Sequence, residues 1–348
     1  MSVGFVFSRL SKDRLGLFSV FYIVTMITVA LSASWIAPDN SPNANQMHLS
    51  IHSKPPGFKT QVLILPNSVI DHGSEELAID SLTWKQEKLL FHALGTPKGY
   101  FQPIDLNRFP SEITYQEIKE SYVQEKYFIL GTDKYGRDLL SRVLIGSRIS
   151  LSIGFIAVLI SLIVGVFIGS IGGYFGGKTD LFIVWLINII WSIPTLLIVI
   201  AITLALGKGY WQVFIAVGLT MWVEVARVVR GQVISIKEKT FIQAARVLGF
   251  TNFRILVKHI LPVVIPPLIV ISAANFASAI LIESGLSFLG IGAQPPVPSW
   301  GGMIKDHFRY ILLGKPYLAV VPGLAIMSLV FAFMTLGNSL RDALDVKN

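Results

Sequence analysis

The chain has 348 residues, of which 53% are apolar and only 14% are charged, and its mean hydropathy is +0.63. A soluble domain of this length needs far less apolar material, so the composition excludes an ordinary soluble protein and predicts an integral membrane protein. The net charge is +8, and the basic residues cluster near the ends of the apolar runs without interleaved exposed aromatics. This pattern argues against nucleic-acid binding and favours anionic membrane lipid as the source of counter-charge.

Six apolar runs are long enough to cross about 30 Å of hydrocarbon as helices. They lie at 15–36, 149–171, 181–206, 211–229, 263–282 and 317–336. Arg9, Lys12 and Arg14 precede the first run, and the positive-inside rule therefore places the N-terminus in the cytoplasm. With six spans the C-terminus and the basic loop after the fourth span are cytoplasmic too.

The first apolar run also has the small residues Ala30, Ser32 and Ala33 near its end, as a cleavable signal peptide would. Its apolar stretch is longer than a removable signal needs, and it ends at Trp35, a residue typical of a membrane interface. We therefore expect a retained first helix.

The segment 37–129 is polar and rich in proline, and it is predicted to be an outer loop or small outer subdomain. Residues 61–65 look like a strand and 115–126 like a helix. His52, His72 and His92 form no catalytic or metal-binding grouping with the carboxylates, and the absence of cysteine excludes disulfides and thiolate metal sites. We predict no cofactor and no metal.

The string GTDKYGRDLLSRVLIGSRISL, residues 131–151, leads into the second span. Lys134, Arg137, Arg142 and Arg148 then lie on the outer side, against the positive-inside rule, which long loops follow poorly. A structural interpretation is that the arginines reach lipid phosphates and that Asp133 or Asp138 caps the helix.

Residues 172–179, GGYFGGKT, match the phosphate-loop expression G-x-x-x-x-G-K-[ST]. A phosphate loop needs a strand before it and a soluble helix after it, whereas both neighbours here are membrane-length apolar runs. We interpret the stretch as a tight turn between the second and third spans.

Ionisable groups are nearly absent from the spans, and Glu224 and Glu283 are expected toward helix ends. This argues against a proton- or sodium-coupled carrier, which usually needs buried acid or base relays.

Pro194 is expected to kink the third span. The segment 283–301 is rich in Gly and Pro but still apolar, and it is predicted to dip back as an outer gate. The candidate pathway or gate residues are Pro194, Asn275, Glu283, Ser287 and Trp300.

Residues 241–262, FIQAARVLGFTNFRILVKHILP, form a polar, basic segment between two apolar runs. Ala244 and Ala245 allow a short helix to lie close to a partner surface, and Gly249 can adopt the positive φ that ends such a helix. An ordinary amphipathic hairpin with a C-cap glycine is the alternative.

Gln243-Ala244-Ala245 is followed after three residues by Gly249 and, after nine more, by His259-Ile260-Leu261-Pro262. This spacing resembles the coupling loop, or EAA loop, of permease subunits in ATP-binding-cassette (ABC) importers. We call residues 241–262 the coupling segment. The strings at 131–151, 283–301 and 337–345 resemble the subfamily that imports dipeptides, oligopeptides and nickel. The resemblance implies that the residues contacting an ATPase are Gln243, Ala244, Ala245, Arg246, Gly249, Leu261 and Pro262.

Two features depart from the family pattern. Gln243 stands where the wider family prefers Glu, and a neutral amide cannot form a charged pair with an arginine of the ATPase. Coupling is then expected to depend more on shape and on Arg246. The outer segment 37–129 is also longer than expected, which leaves its contacts open.

The predicted architecture is an all-α integral membrane protein with the six-transmembrane-helix fold of a type I ABC importer permease. Helices 2–6 form the permease core at 130–348, which includes a cytoplasmic coupling region at 230–262. A cytoplasmic N-terminus at 1–14, a first transmembrane helix at 15–36 and the outer segment at 37–129 precede it.

The resemblance implies a multi-pass protein of the bacterial inner membrane that is not itself an enzyme. Its implied partners are a second homologous permease, two cytoplasmic ABC ATPases and an extracytoplasmic substrate-binding protein, and the implied substrate is a di- or oligopeptide. The alternatives are a permease for nickel or another small solute and, in a different class, a membrane-anchored sensor or secondary carrier.

Overall fold

A computed structural model describes residues 13–66, 75–85, 88–97, 99–109, 113–207 and 209–344. Arg9, Lys12, His72 and the tail from Asp345 lie outside these residues. The described helices are, in chain order, α1 Arg14–Ile36, α2 Tyr115–Ser121, α3 Leu139–Phe175, α4 Gly177–Trp191, α5 Thr195–Leu206, α6 Tyr210–Lys237, α7 Thr240–Val247, α8 Asn252–Leu289, α9 Trp300–His307 and α10 Tyr317–Leu344. The mostly helical class predicted from the sequence is confirmed.

Five described helices, α1, α3, α6, α8 and α10, are each long and apolar enough to cross a membrane. The third predicted span is different, because α4 and α5 meet at an angle of 89°. Pro194 lies directly before α5 and lacks the N–H that would continue the helix. The apolar run at 181–206 is therefore a sharply broken pair of helices.

The outer segment contains a five-stranded antiparallel sheet, which the sequence indicated only at 61–65. Its strands are β1 Phe58–Leu65, β2 Glu75–Lys85, β3 Lys88–Ala93, β4 Gln102–Ile104 and β5 Val123–Phe128, in the order β4-β3-β2-β1-β5. The outer segment has its own hydrophobic core, in which Leu63 of β1, Leu89 of β3 and Ile118 of α2 are fully buried. The helix predicted at 115–126 ends at Ser121, and the chain continues as β5.

The sequence predicted that Arg137, Arg142 and Arg148 reach lipid phosphates, whereas each has a hydrogen-bond partner within the protein. The Arg137 Nε donates to Asp133 Oδ2 at 2.6 Å, and both side chains are buried. Arg142 donates to the carbonyl of Ala44, and its Nε lies 3.8 Å from Asp133.

The other two basic residues have partners in the protein as well. Lys134 pairs with Asp306 at 3.0 Å, and Arg148 donates to the carbonyl of Ala30 in α1 at 2.7 Å. Partners within the chain therefore bind all four of these positive charges. Of the two acids expected to cap the helix, Asp138 caps α3 by accepting from the Ser141 N–H.

The contact between α3 and α6 depends on a row of glycines four residues apart. A Cβ at Gly165 would lie 2.5 Å from the Cβ of Val225, and one at Gly173 would lie 2.8 Å from the carbonyl oxygen of Arg230. Small residues at such positions allow membrane helices to pack with their backbones in close approach. This packing fixes α6 against α3.

Candidate functional site

The coupling segment consists of two short helical pieces joined at Gly249. The first is α7, which ends when the Phe250 N–H bonds to the Ala245 carbonyl and the Gly249 N–H bonds to the Arg246 carbonyl. Gly249 has a φ of +77°, the left-handed conformation that this type of helix end requires. The side chain of Thr251 then caps the start of α8.

One side of the coupling segment is anchored to the protein's own core. Ile242, Ala245 and Ile260 are buried in a cluster with Val233 of α6 and Tyr174 of α3. Ala245 therefore faces inward, and of the two alanines singled out in the sequence only Ala244 is exposed.

The hydroxyl of Tyr174 ties the second piece of the segment to the end of α3. It donates to the side-chain oxygen of Asn252 at 2.8 Å, and the guanidinium of Arg246 lies 5.9 Å from the centre of the Tyr174 ring. The coupling segment is therefore held against both α3 and α6.

The other side of the coupling segment is exposed and largely apolar. Val247 is 89% exposed, Leu248 72% and Phe253 76%. Gln243 and Arg246 are exposed among them. The Gln243 side chain makes only a long contact, 3.4 Å, to the carbonyl of Glu238. Exposed apolar groups of this density, interspersed with polar ones, are typical of a protein or membrane interaction surface.

At the same end of the bundle, the glycine-rich stretch at 172–179 contains the turn between α3 and α4, which is centred on Gly176. Gly176 and Gly177 both have positive φ, and helices lie directly on both sides. Because no strand leads into it, the turn lacks the strand-and-helix geometry of a phosphate loop. Asp180 in the first turn of α4 bonds to Arg230 of α6 at two points.

At the other end of α8, the predicted gate residues lie together. Glu283 is buried, and its Oε1 accepts from Ser287 Oγ at 2.6 Å. The indole of Trp300 is fully buried and donates to the carbonyl of Val143 at 2.9 Å. A Cβ at Gly301 would collide with the backbone of Ser284, so α9 packs closely on the end of α8.

The other two candidate pathway residues lie apart from this cluster. Asn275 is buried in α8, and its side-chain nitrogen has no partner among the described residues. Pro194 is exposed at the break between α4 and α5. A cavity of about 350 Å³ lies beside this break, and Thr195, Thr220, Glu224 and Ser278 are among the residues lining it.

Glu224 corrects an expectation from the sequence. It lies near the middle of α6, not toward an end, because the helix continues beyond the predicted limit at 229 to Lys237. The continuous apolar run ends near 229, but Val229, Val233 and Ile236 recur at helical spacing. This periodicity extends the helix and would have placed Glu224 near its middle.

Comparison with known proteins was consistent with this architecture. The family model described as binding-protein-dependent transport system inner membrane component matches residues 161–347. The oligopeptide transport system permease protein OppC of Haemophilus influenzae is 41% identical over 224 residues, which cover 64% of this chain and 72% of that protein. The glutathione transport system permease protein GsiD of Pectobacterium atrosepticum is 36% identical over 259 residues, covering 74% and 84%.

A solved structure of the MetNI methionine ABC transporter in an inward-facing conformation aligns with a TM-score of 0.49 and 17% identity. The alignment covers 58% of this chain and 95% of that one.

The helices and the two clusters at their ends define a multi-pass membrane permease. The chain belongs to the family of binding-protein-dependent transport system inner membrane components, and the resemblance inferred from its motifs is confirmed.

Proposed function

We propose that this chain forms half of the translocation path of an ATP-driven importer of di- or oligopeptides. The relatives named for oligopeptide and glutathione transport support this substrate class, since glutathione is itself a small peptide. The proposed partners are a second permease of the same family, two cytoplasmic ATPases and an extracytoplasmic substrate-binding protein. ATP is hydrolysed on the ATPases, and this chain performs no chemistry.

The observation that carries the proposal is the two-sided coupling segment. Val247, Leu248 and Phe253 are exposed on one side, while Ile242 and Ala245 are buried against the membrane helices on the other. A surface that is apolar outside and firmly packed inside suits docking of a partner whose movement must reach the bundle.

The proposed orientation places both termini and the coupling segment in the cytoplasm. Asp13, directly before α1, accepts a hydrogen bond from Ser339 near the end of α10, so the two terminal helices have these ends on one side. Basic residues of the coupling region, among them Lys237, Lys239 and Lys258, support this orientation, because cytoplasmic loops carry an excess of Lys and Arg.

In the proposed mechanism, nucleotide binding closes the ATPase pair and moves the coupling segment docked on it. The buried contacts of Ile242 and Ala245 transmit this movement to α6, and Tyr174 transmits it to α3. The bundle then changes from inward to outward access by rigid-body movement of packed helices. The cluster of Glu283, Ser287 and Trp300 is proposed to belong to the outer gate.

The test is purification of the tagged protein in mild detergent, followed by mass spectrometry of stoichiometric companions and reconstitution into liposomes. We expect one further permease, ATPase subunits in twofold amount, and peptide uptake that requires ATP and the binding protein. A chain that is reproducibly purified alone contradicts the proposal. Uptake of nickel and not of peptide would show that the transporter is a nickel importer.

A further inference from the structure

Glu224 is a carboxylate at the centre of a membrane-spanning helix. It lies fourteen residues after Tyr210 and thirteen before Lys237, the ends of α6. At about 1.5 Å per residue, this is about 20 Å from either end. Its side chain is exposed on the surface of this chain. An ionisable group within a membrane-spanning helix is unfavourable unless it has a partner, and such a group marks a functional site.

No residue in the described part of the chain supplies that partner. The Glu224 carboxylate has neither a hydrogen bond nor an ion pair there. Arg227, one helical turn away on α6, is instead stacked on the ring of Trp191, with its guanidinium carbon 3.6 Å from the ring centre. The neighbouring cation is thus held by an aromatic ring, and the carboxylate is free to bind a cation that enters from outside the chain.

The surroundings of Glu224 suit a small polar ligand. The carboxylate lines the cavity of about 350 Å³ beside the broken pair α4 and α5. This volume falls within the range of about 300–1,000 Å³ that is typical of small-molecule sites. Thr195, Thr220 and Ser278 add hydroxyl groups, while Ile198 and Leu281 are among the apolar residues of the wall. The cavity therefore combines one negative charge, hydrogen-bond acceptors and apolar surface.

We propose that Glu224 binds the ammonium group of the peptide as it passes through the bundle. The inference rests on the proposed function, because it identifies the group of the substrate that this site recognises. An ammonium has three donors and no acceptor, so a carboxylate and neighbouring hydroxyl oxygens match it. The amino terminus and a lysine side chain carry the same ammonium group, and either can supply it.

The test compares uptake by wild-type and Glu224→Gln complexes in liposomes with one wild-type binding protein. Three peptides that the wild type transports are used: one with a free amino terminus and no lysine, its N-acetylated form, and an N-acetylated form containing one lysine. The binding protein's own preference cancels when each peptide's uptake is expressed as the ratio of variant to wild type. Glu120→Gln, in α2 of the outer segment, is the matched control for loss of one carboxylate.

We expect Glu224→Gln to reduce uptake of the free-amino peptide about tenfold, as loss of a charge-assisted hydrogen bond does, and to leave the N-acetylated peptide unchanged. If uptake of the lysine peptide falls as well, the site accepts either source of ammonium. If uptake of the lysine peptide is unchanged, the site binds the amino terminus alone. Equal loss for all three peptides, or none, overturns the inference. Absence of ATP-dependent peptide uptake by the wild type would instead contradict the proposed function itself.

A second measurement does not depend on transport by the variant. Because the chain contains no cysteine, Glu224→Cys introduces a single reporter whose labelling by a charged, water-soluble maleimide is read from this chain by mass. Labelling that the free-amino peptide slows during ATP turnover supports the inference. A residue that resists labelling in every nucleotide state lies in the contact with the second permease and overturns it.

Discussion

Arg230 and Asp180 form a two-point ion pair between α6 and the first turn of α4, with Nε–Oδ1 at 2.5 Å and Nη2–Oδ2 at 2.6 Å. The pair joins the turn after α3 to the helix that continues into the coupling segment. An ion pair with two parallel N–H···O bonds between a guanidinium and a carboxylate is more directional than one with a single bond. The contact therefore fixes the orientation of the helix ends beside the coupling segment.

Asp180→Asn and Arg230→Gln are each expected to lower the free energy of unfolding of the complex by about 1 kcal/mol, because the pair is partly exposed to solvent. The double variant should lose little more than either single one, since both remove the same interaction. Thermal unfolding of the three variants in detergent measures this. Fully additive losses would mean that the pair itself contributes nothing.

Replacement of Gly249 tests the helix end at the middle of the coupling segment. Gly249→Ala should cost about 1–2 kcal/mol because an L side chain is strained at a φ of +77°. Gly249→Pro also removes the N–H that bonds to Arg246, and it should abolish transport while membrane insertion persists. Gly323→Ala is the control, because this helical glycine has open space around it. Normal uptake by a stable Gly249→Pro variant would refute the role of the segment.

Leu248→Ser tests the exposed apolar surface. The side chain is 72% exposed, so its loss should leave folding unchanged and weaken binding to the ATPases at least tenfold, as expected for an interface anchor of about 1.4 kcal/mol or more. Leu312→Ser, at a residue 91% exposed in the turn after α9, is the matched control. The measurement is the amount of ATPase that remains with the tagged permease after dilution. Equal retention by both variants would place the docking surface elsewhere.

The sequence predicted most of the membrane architecture because apolar length is a direct signal of a span. It did not predict the sharp break at Pro194, because the run at 181–206 is continuous in composition and proline alone does not give the angle. The sheet at 37–129 was mostly missed for another reason. Its strands are half-polar, and their pairing is set by long-range contacts such as those of β1 with β5.

Some features of the candidate site could be predicted from the sequence and others could not. The helix end at Gly249 could be inferred because positive φ has a local sequence signal. The inward position of Ala245 and the burial of Arg137 against Asp133 could not, because each depends on which neighbours the tertiary structure brings near.

Gly301→Ala is expected to disturb the outer cluster, because an added Cβ would meet the backbone of Ser284, which cannot move as a flexible side chain can. Overpacking of this kind typically costs about 1–3 kcal/mol. Gly302→Ala is the control, since its Cβ would meet only the Ser299 hydroxyl, at 3.1 Å. Thermal unfolding and uptake are both measured. If the two variants behave alike, the close approach of α9 to α8 does not constrain the gate.

His307, at the end of α9, should make the outer end of the bundle sensitive to acid. Burial lowers the pKa of its imidazole, although the Met303 carbonyl and the carboxylates of Asp133 and Asp306 oppose the shift. One ring nitrogen lies 2.7 Å from that carbonyl, and the other accepts from the Lys134 N–H at 3.5 Å. The folded protein therefore favours the neutral ring.

Because the folded pKa lies below the usual value of about 6.5, neutral His307 contributes stability above that pH. This contribution decreases as the pH falls through 6.5 toward the folded pKa, where the unfolded chain binds the proton more readily. Unfolding temperatures of wild type and His307→Gln, measured between pH 8 and about pH 5, should converge as the pH falls, with the variant showing the flatter profile. A wild-type profile as flat as that of His307→Gln would show that this histidine does not set the acid sensitivity of the outer end.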